Sequence, residues 1–136
     1  MAERTAPRER IAVLFNPSAG GGRALKSRDR LTALFRARGL AFDLHLTESE
    51  RHLRDLAREK GRSAGTLAAA GGDSTVQIVA EEIVRAGGGA RLAMLGLGSS
   101  NDIPREFGLA SAETTVDALA AGRSRRIDLG RVEGDG

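Results

Sequence analysis

The 136-residue chain contains no cysteine, no tryptophan and no tyrosine. The first absence excludes disulfide frameworks, thiolate metal sites and cysteine nucleophiles. The other two leave four phenylalanines, too few for a platform on which nucleic-acid bases could stack. Two histidines, His45 and His52, supply little for a histidine-rich metal centre. Lysine is nearly missing as well: only Lys26 and Lys60 are present, so the sequence pI of about 10.5 reflects an arginine excess. The 21 basic residues are interspersed with 18 acidic ones and form no contiguous stripe, so no nucleic-acid partner is expected. No apolar run approaches the roughly 18 residues that a membrane span requires. Met1 to Arg10 lacks the apolar core of a signal peptide. The expected location is cytoplasmic, with peripheral contact at a membrane surface left open.

What is present is a regular alternation. After a polar tail over residues 1–10, Ile11-Ala-Val-Leu-Phe15 is a short apolar run of the kind that forms a buried strand. It ends at Asn16-Pro17 and the glycine-rich Ser18–Gly22. From Arg23 the apolar positions Leu25, Leu31, Leu34 and Phe35 recur near a helical period, and Gly39 stops the helix. Residues 41–46 alternate as a half-buried strand, and Thr47–Lys60 read as a helix with Ser49 a candidate N-cap. Thr66–Ala70 form a third strand, Val76–Ala86 a helix, and Arg91–Leu95 a fourth strand. Short helices near Ile103–Phe107 and Ala112–Ala121 precede a last strand, Arg126–Gly130. Strands that alternate with helices of this length predict one α/β domain over residues 11–136, a doubly wound, mostly parallel sheet with helices on both faces.

In such sheets ligands bind outside the carboxyl ends of the strands. Three of those ends carry loops of small polar residues: Asn16–Gly22, Gly71–Thr75 and Gly96–Asp102. Glycine lets backbone N–H groups approach a phosphate, and each following helix aims its positive end at it. Any one such loop is also how an ordinary strand reaches a helix; three at one edge point to a phosphate-bearing ligand. The G-x-x-x-x-G-K-[ST] loop of P-loop NTPases is absent, and no G-x-G-x-x-G opens the first helix.

Asn16-Pro17-Ser18-Ala19-Gly20-Gly21, Gly71-Gly72-Asp73-Ser74-Thr75 and Gly98-Ser99-Ser100-Asn101-Asp102-Ile103 resemble, in order and spacing, the three landmarks of the diacylglycerol kinase catalytic domain family. That family includes bacterial lipid kinases and sphingosine kinases. The likeness runs from Ile11 to about Gly130. NAD kinases share a similar second motif, but Arg105-Glu106-Phe107-Gly108-Leu109 after the third favours the lipid kinases. The resemblance implies an ATP-binding lobe that uses Mg2+ and transfers the γ-phosphoryl group to a lipid hydroxyl. By position, Asn16 and Thr47 would contact nucleotide, and Gly71, Gly72, Asp73, Ser74 and Thr75 would wrap the phosphates. Asp73 would hold magnesium or assist the acceptor hydroxyl; Ser99 would take the place of the family's threonine, Asn101 and Asp102 would order the third loop, and all three would contribute to nucleotide binding.

Plainer roles compete at several of these positions. Thr47 and Ser49 are rival caps for the second helix, Asp73 or Ser74 could cap the third, and Asn101 or Asp102 suits the N-cap of the next, with Pro104 in its first turn. The sequence also departs from the family pattern. Ser74 replaces a glycine, which would strain the backbone if that position has positive φ. Gln77-Ile78 lacks the family's carboxylate, Gly96 its proline, and Ser99 its threonine. Family members continue into a second, mostly β lobe that carries acceptor-binding residues. The chain is therefore expected to have little or no kinase activity alone, and an exposed edge at its last strand would favour a homodimer. Two rivals stay open: an NAD-kinase-like enzyme, and a non-catalytic domain that binds a nucleotide or a partner chain.

Overall fold

A computed structural model describes residues 10–98 and 101–124. The last strand expected at Arg126–Gly130, and Ser99 of the third motif, lie outside the described residues. Four parallel strands form one sheet: β1 (Ile11–Phe15), β2 (Phe42–Leu46), β3 (Thr66–Gly71) and β4 (Arg91–Gly96), in the spatial order β2-β1-β3-β4. The helices are α1 (Arg28–Ala37), α2 (Glu50–Lys60), α3 (Asp73–Arg85), α4 (Asp102–Glu106) and α5 (Ala112–Ala120). β1 pairs with β2 on one side and with β3 on the other, so the strand order reverses between β1 and β3. A doubly wound sheet opens its ligand crevice at this reversal, at the carboxyl ends of the strands.

The apolar run of β1 is covered on both sides, which is why it does not alternate. Ile11, Val13 and Phe15 face a layer built by Leu31 and Phe35 of α1 and Val116 of α5. Ala12 and Leu14 face the opposite layer, with Leu53 and Ala57 of α2 and Val76 and Val79 of α3. Phe35 is fully buried and its ring lies 5.0 Å from that of Phe42, so truncating it would cost about 3–5 kcal/mol. One outward carbonyl of each edge strand is taken up by a side chain. Arg10 donates to the Phe42 carbonyl at 3.0 Å, and the Thr115 hydroxyl donates to the Met94 carbonyl at 2.7 Å.

The helix expected from Arg23 starts only at Arg28. Gly20, Gly21 and Gly22 take φ of +63°, +70° and +95°, and the 3-10 stretch Ala19–Ser27 spans them. Leu25 lies on this stretch and is 47% exposed, so it leaves the apolar stripe to Leu31 and Phe35. The α2–α3 contact is tied by a buried charge. Glu82, 1% exposed, receives Arg54 at 3.0 Å, Arg58 at 3.3 Å and Arg85 at 3.7 Å. Arg54 also meets Glu81 at 2.9 Å, and its hydrogen bonds to Glu81 and then Glu82 raise its pKa above the usual arginine range.

Candidate phosphate site at the carboxyl edge of the sheet

Each strand end places one piece of the site. After β1, the Asn16 amide donates to the Ala70 carbonyl of β3 at 2.9 Å, which fixes the first loop across the reversal point. Asn16 Oδ1 accepts the Ser18 N–H at 3.0 Å and closes an Asx turn. After β2, Thr47 is buried. Its N–H donates to the Phe15 carbonyl at 2.8 Å, and its hydroxyl reaches the same oxygen at 3.3 Å. Thr47 therefore does not cap α2. Ser49 does, accepting the His52 N–H at 3.0 Å, while His52 Nδ1 accepts the Glu48 N–H at 3.0 Å. His52 thus works as a local cap, and His45 is half-buried on β2. Burial lowers the His45 pKa below 6.5, with Lys60 adding to the shift.

After β3, the helix starts three residues earlier than the apolar pattern suggests. Gly72 is its N-cap residue, and no side chain caps it. The amides of Asp73, Ser74 and Thr75 have no acceptor among the described residues. These are the donors that a helix start offers to an anion, and the helix dipole adds positive potential there. Ser74 lies in the first turn, exposed, and no non-glycine residue among the described residues has positive φ. The strain considered for this substitution therefore does not arise, because the position is helical.

Asp73 does not cap its own helix either. Its carboxylate crosses to α4, where Oδ2 accepts the Asp102 N–H at 3.1 Å and Oδ1 the Ile103 N–H at 3.2 Å. Asn101, the N-cap residue of α4, makes no side-chain cap bond; its Oδ1 accepts the Gly98 N–H at 3.0 Å inside the loop. The capping roles expected of Asn101 or Asp102 thus pass to a residue about thirty positions earlier.

The three loops meet. A Cβ placed on Gly98 would lie 2.5 Å from Gly72 Cα, so only glycine permits this backbone approach between the second and third loops. A Cβ on Gly20 would lie 3.1 Å from the Leu97 carbonyl, which brings the first loop to the same place. Gly20, Gly72 and Gly98 stand in the three motifs, but their close approach to one another across the loops is not visible in the sequence. Among the sequence-derived residues, the structure brings together Gly71, Gly72, Asp73, Asn101 and Asp102, with Ser74 and Thr75 in the open turn. Asn16 flanks them from β1. Thr47 stands one strand further out, on β2.

The donor set fits a phosphate chain. It does not include a ready-made metal cage, since the described residues contain no group of three or more His, Cys, Asp or Glu able to hold an ion. A divalent ion would have to ride on the phosphates beside Asp73 and Asp102. Among the described residues no helix is long and apolar enough to cross a membrane.

Comparison with known proteins agrees with this geometry. The family model "Diacylglycerol kinase catalytic domain" matches residues 10–132. A Pseudomonas aeruginosa protein named "Probable lipid kinase YegS-like" is 44% identical over 78 residues, covering 56% of this chain and 26% of that protein. A Mycobacterium tuberculosis diacylglycerol kinase is 32% identical over 134 residues, covering 93% of this chain and 41% of the other. A crystal structure of a diacylglycerol kinase from Bacillus anthracis has the same fold, with a TM-score of 0.74 at 19% identity, over 88% of this chain and 46% of that one. The chain therefore spans less than half the length of these relatives.

Proposed function

The chain belongs to the diacylglycerol kinase catalytic domain family, and from that membership we propose that residues 11–136 form the ATP-binding lobe of a lipid kinase. The observation that carries this reading is the start of α3, whose first-turn amides have no acceptor among the described residues and lie where three glycine-rich loops meet. The nucleotide phosphates lie on the first turn of α3, walled by Gly71–Thr75 on one side and by Asn101 and Asp102 on the other. Asn16 and Thr47 flank the nucleotide from β1 and β2. Mg2+, bound to the phosphates, supplies charge neutralisation. The chain's backbone amides position the γ-phosphoryl group and stabilise the charge that develops as an acceptor oxygen bonds to phosphorus and the bridging oxygen leaves with ADP. Ser74 sits in helical backbone, so its replacement of a glycine does not by itself argue for an emptied site.

The acceptor in this reading is a lipid hydroxyl at a membrane surface. The rim beside the first loop suits such a surface: Leu25 is exposed between Arg23, Lys26 and Arg28, also exposed, and no acidic residue occurs from Asn16 to Arg28. An apolar side chain among cations matches an anionic bilayer, where each basic residue contributes about 1 kcal/mol. The chain spans less than half the length of its relatives, and in this reading the lobe by itself turns over little or no lipid. Calorimetric titration with Mg·ATP, ADP and NAD tests the reading. Micromolar-to-millimolar ATP binding is expected. Silence toward all three would move the chain to the non-catalytic class, and preference for NAD would make it NAD-kinase-like.

A further inference from the structure

α4 has five residues, too few to hold themselves as a helix, and its own N-cap residue turns its side chain away into the loop. What holds its start is Asp73, through the amides of Asp102 and Ile103. The two carboxylate oxygens are thereby divided between two consecutive N–H groups of a different element. Behind them, Gly72 and Gly98 touch backbone to backbone. The second and third loops are thus joined at two points, one made by packing and one by this carboxylate. Nothing else among the described residues completes a metal cage around Asp73.

Resting on the nucleotide reading above, we propose that Asp73 is a positioning residue that clamps the third loop, acting through α4 rather than as a ligand of the metal. Its carboxylate holds the start of α4 at Asp102 and Ile103 against the first turn of α3, so that both walls of the phosphate site keep their spacing before any nucleotide arrives. Removing the clamp leaves α3 and its open amides in place and frees the opposite wall.

Amide hydrogen exchange on the whole chain, with nucleotide absent and EDTA present, tests this directly. In Asp73→Ala the Asp102 and Ile103 amides should exchange about tenfold faster or more, while the β3 amides stay protected as the control for folding. In Asp73→Asn, which keeps one side-chain acceptor, at most one of the two amides should stay protected. That variant decides the matter if the alanine variant does not fold. Wild-type protection of both amides in Asp73→Asn would overturn the proposal. A second readout separates clamp from metal ligand. The clamp predicts that ATP affinity falls by about threefold to tenfold, alike with Mg2+ and with EDTA. A loss confined to Mg·ATP would overturn it in favour of a metal role. If the wild-type chain binds no nucleotide, the lipid-kinase reading fails, and the exchange of the two amides still decides the clamp.

Discussion

The starts of α2 and α3 are built in opposite ways. α2 is closed by its own residues: Ser49 caps it, His52 ties the preceding turn, and Arg54 locks it to the buried Glu82 of α3. α5 is closed the same way, with Ser111 accepting the Thr114 N–H at 3.2 Å. α3 begins at a glycine with no side-chain cap. A capping side chain is worth about 1 kcal/mol to a helix, so leaving the start of a thirteen-residue, well-packed helix bare gives up stability. The difference teaches where to look for a ligand. α2 and α5 close their own starts with a serine, whereas the helix at the strand-order reversal has first-turn amides with no acceptor among the described residues.

This contrast can be broken from either side. The largest effect is expected on the closed side. Arg54→Met removes the best-placed partner of Glu82, yet Arg58 and Arg85 remain, so the loss should be about 2–3 kcal/mol, below the penalty for a fully orphaned buried charge. Denaturant unfolding measures it, and nucleotide affinity should change little. Ser49→Ala comes next, at about 1 kcal/mol of stability, again with nucleotide affinity preserved; a large loss of binding there would mean that the Ser49 turn belongs to the site.

On the open side the expected signs differ. Gly72 has φ −88° and ψ −171°, backbone that any residue adopts, and a Cβ there meets Gly98 Cα at an ordinary 3.6 Å. Gly72→Ser should therefore stabilise the fold by a few tenths of a kcal/mol, on the order of the gain of serine over glycine at an N-cap. It should also weaken ATP binding, because its hydroxyl occupies a donor meant for phosphate. Thermal unfolding and calorimetry on the same variant check both halves; unchanged affinity would remove the ligand role from this helix end.

The smallest effect concerns pH. Burial holds the His45 pKa below its unfolded value of 6.5, so the unfolded chain takes up the proton first. His45 then costs nothing above pH 6.5, and stability declines as pH falls from 6.5 through the lowered folded value. Unfolding midpoints of His45→Gln should be flatter with pH across that interval. An unchanged slope would assign the pH dependence to other groups.

Much of this molecule was legible in its residues. The apolar run of β1, the stop at Gly39, the Ser49 cap and the three loops at one sheet edge all depend on neighbours within a few positions, and such local chemistry can be read from spacing. So could the fold class, because alternating strands and helices leave a parallel sheet little choice. Other readings changed, and three of them involved a position whose role depends on distant chain. Leu25 fits a helical stripe by spacing, but three left-handed glycines upstream place it on a 3-10 stretch facing outward. Ser74 was weighed as strained, and only the onset of α3 at Asp73 shows its backbone to be helical. Asn101 holds the N-cap position of α4 as expected, but the side chain that accepts the first amides is that of Asp73.

By itself, then, the sequence determined the order of elements, the class of fold and the edge at which small polar loops gather, since each follows from periodicity and turn chemistry. Tertiary structure alone decided which loops touch, which helix end stays open, that Glu82 is buried under three arginines, and that Asp73 serves α4 instead of its own helix. The physical reason is common to all of these. Hydrogen bonds, ion pairs and close backbone approaches are short-ranged in space, and residues dozens of positions apart meet only after the sheet has brought their strands side by side.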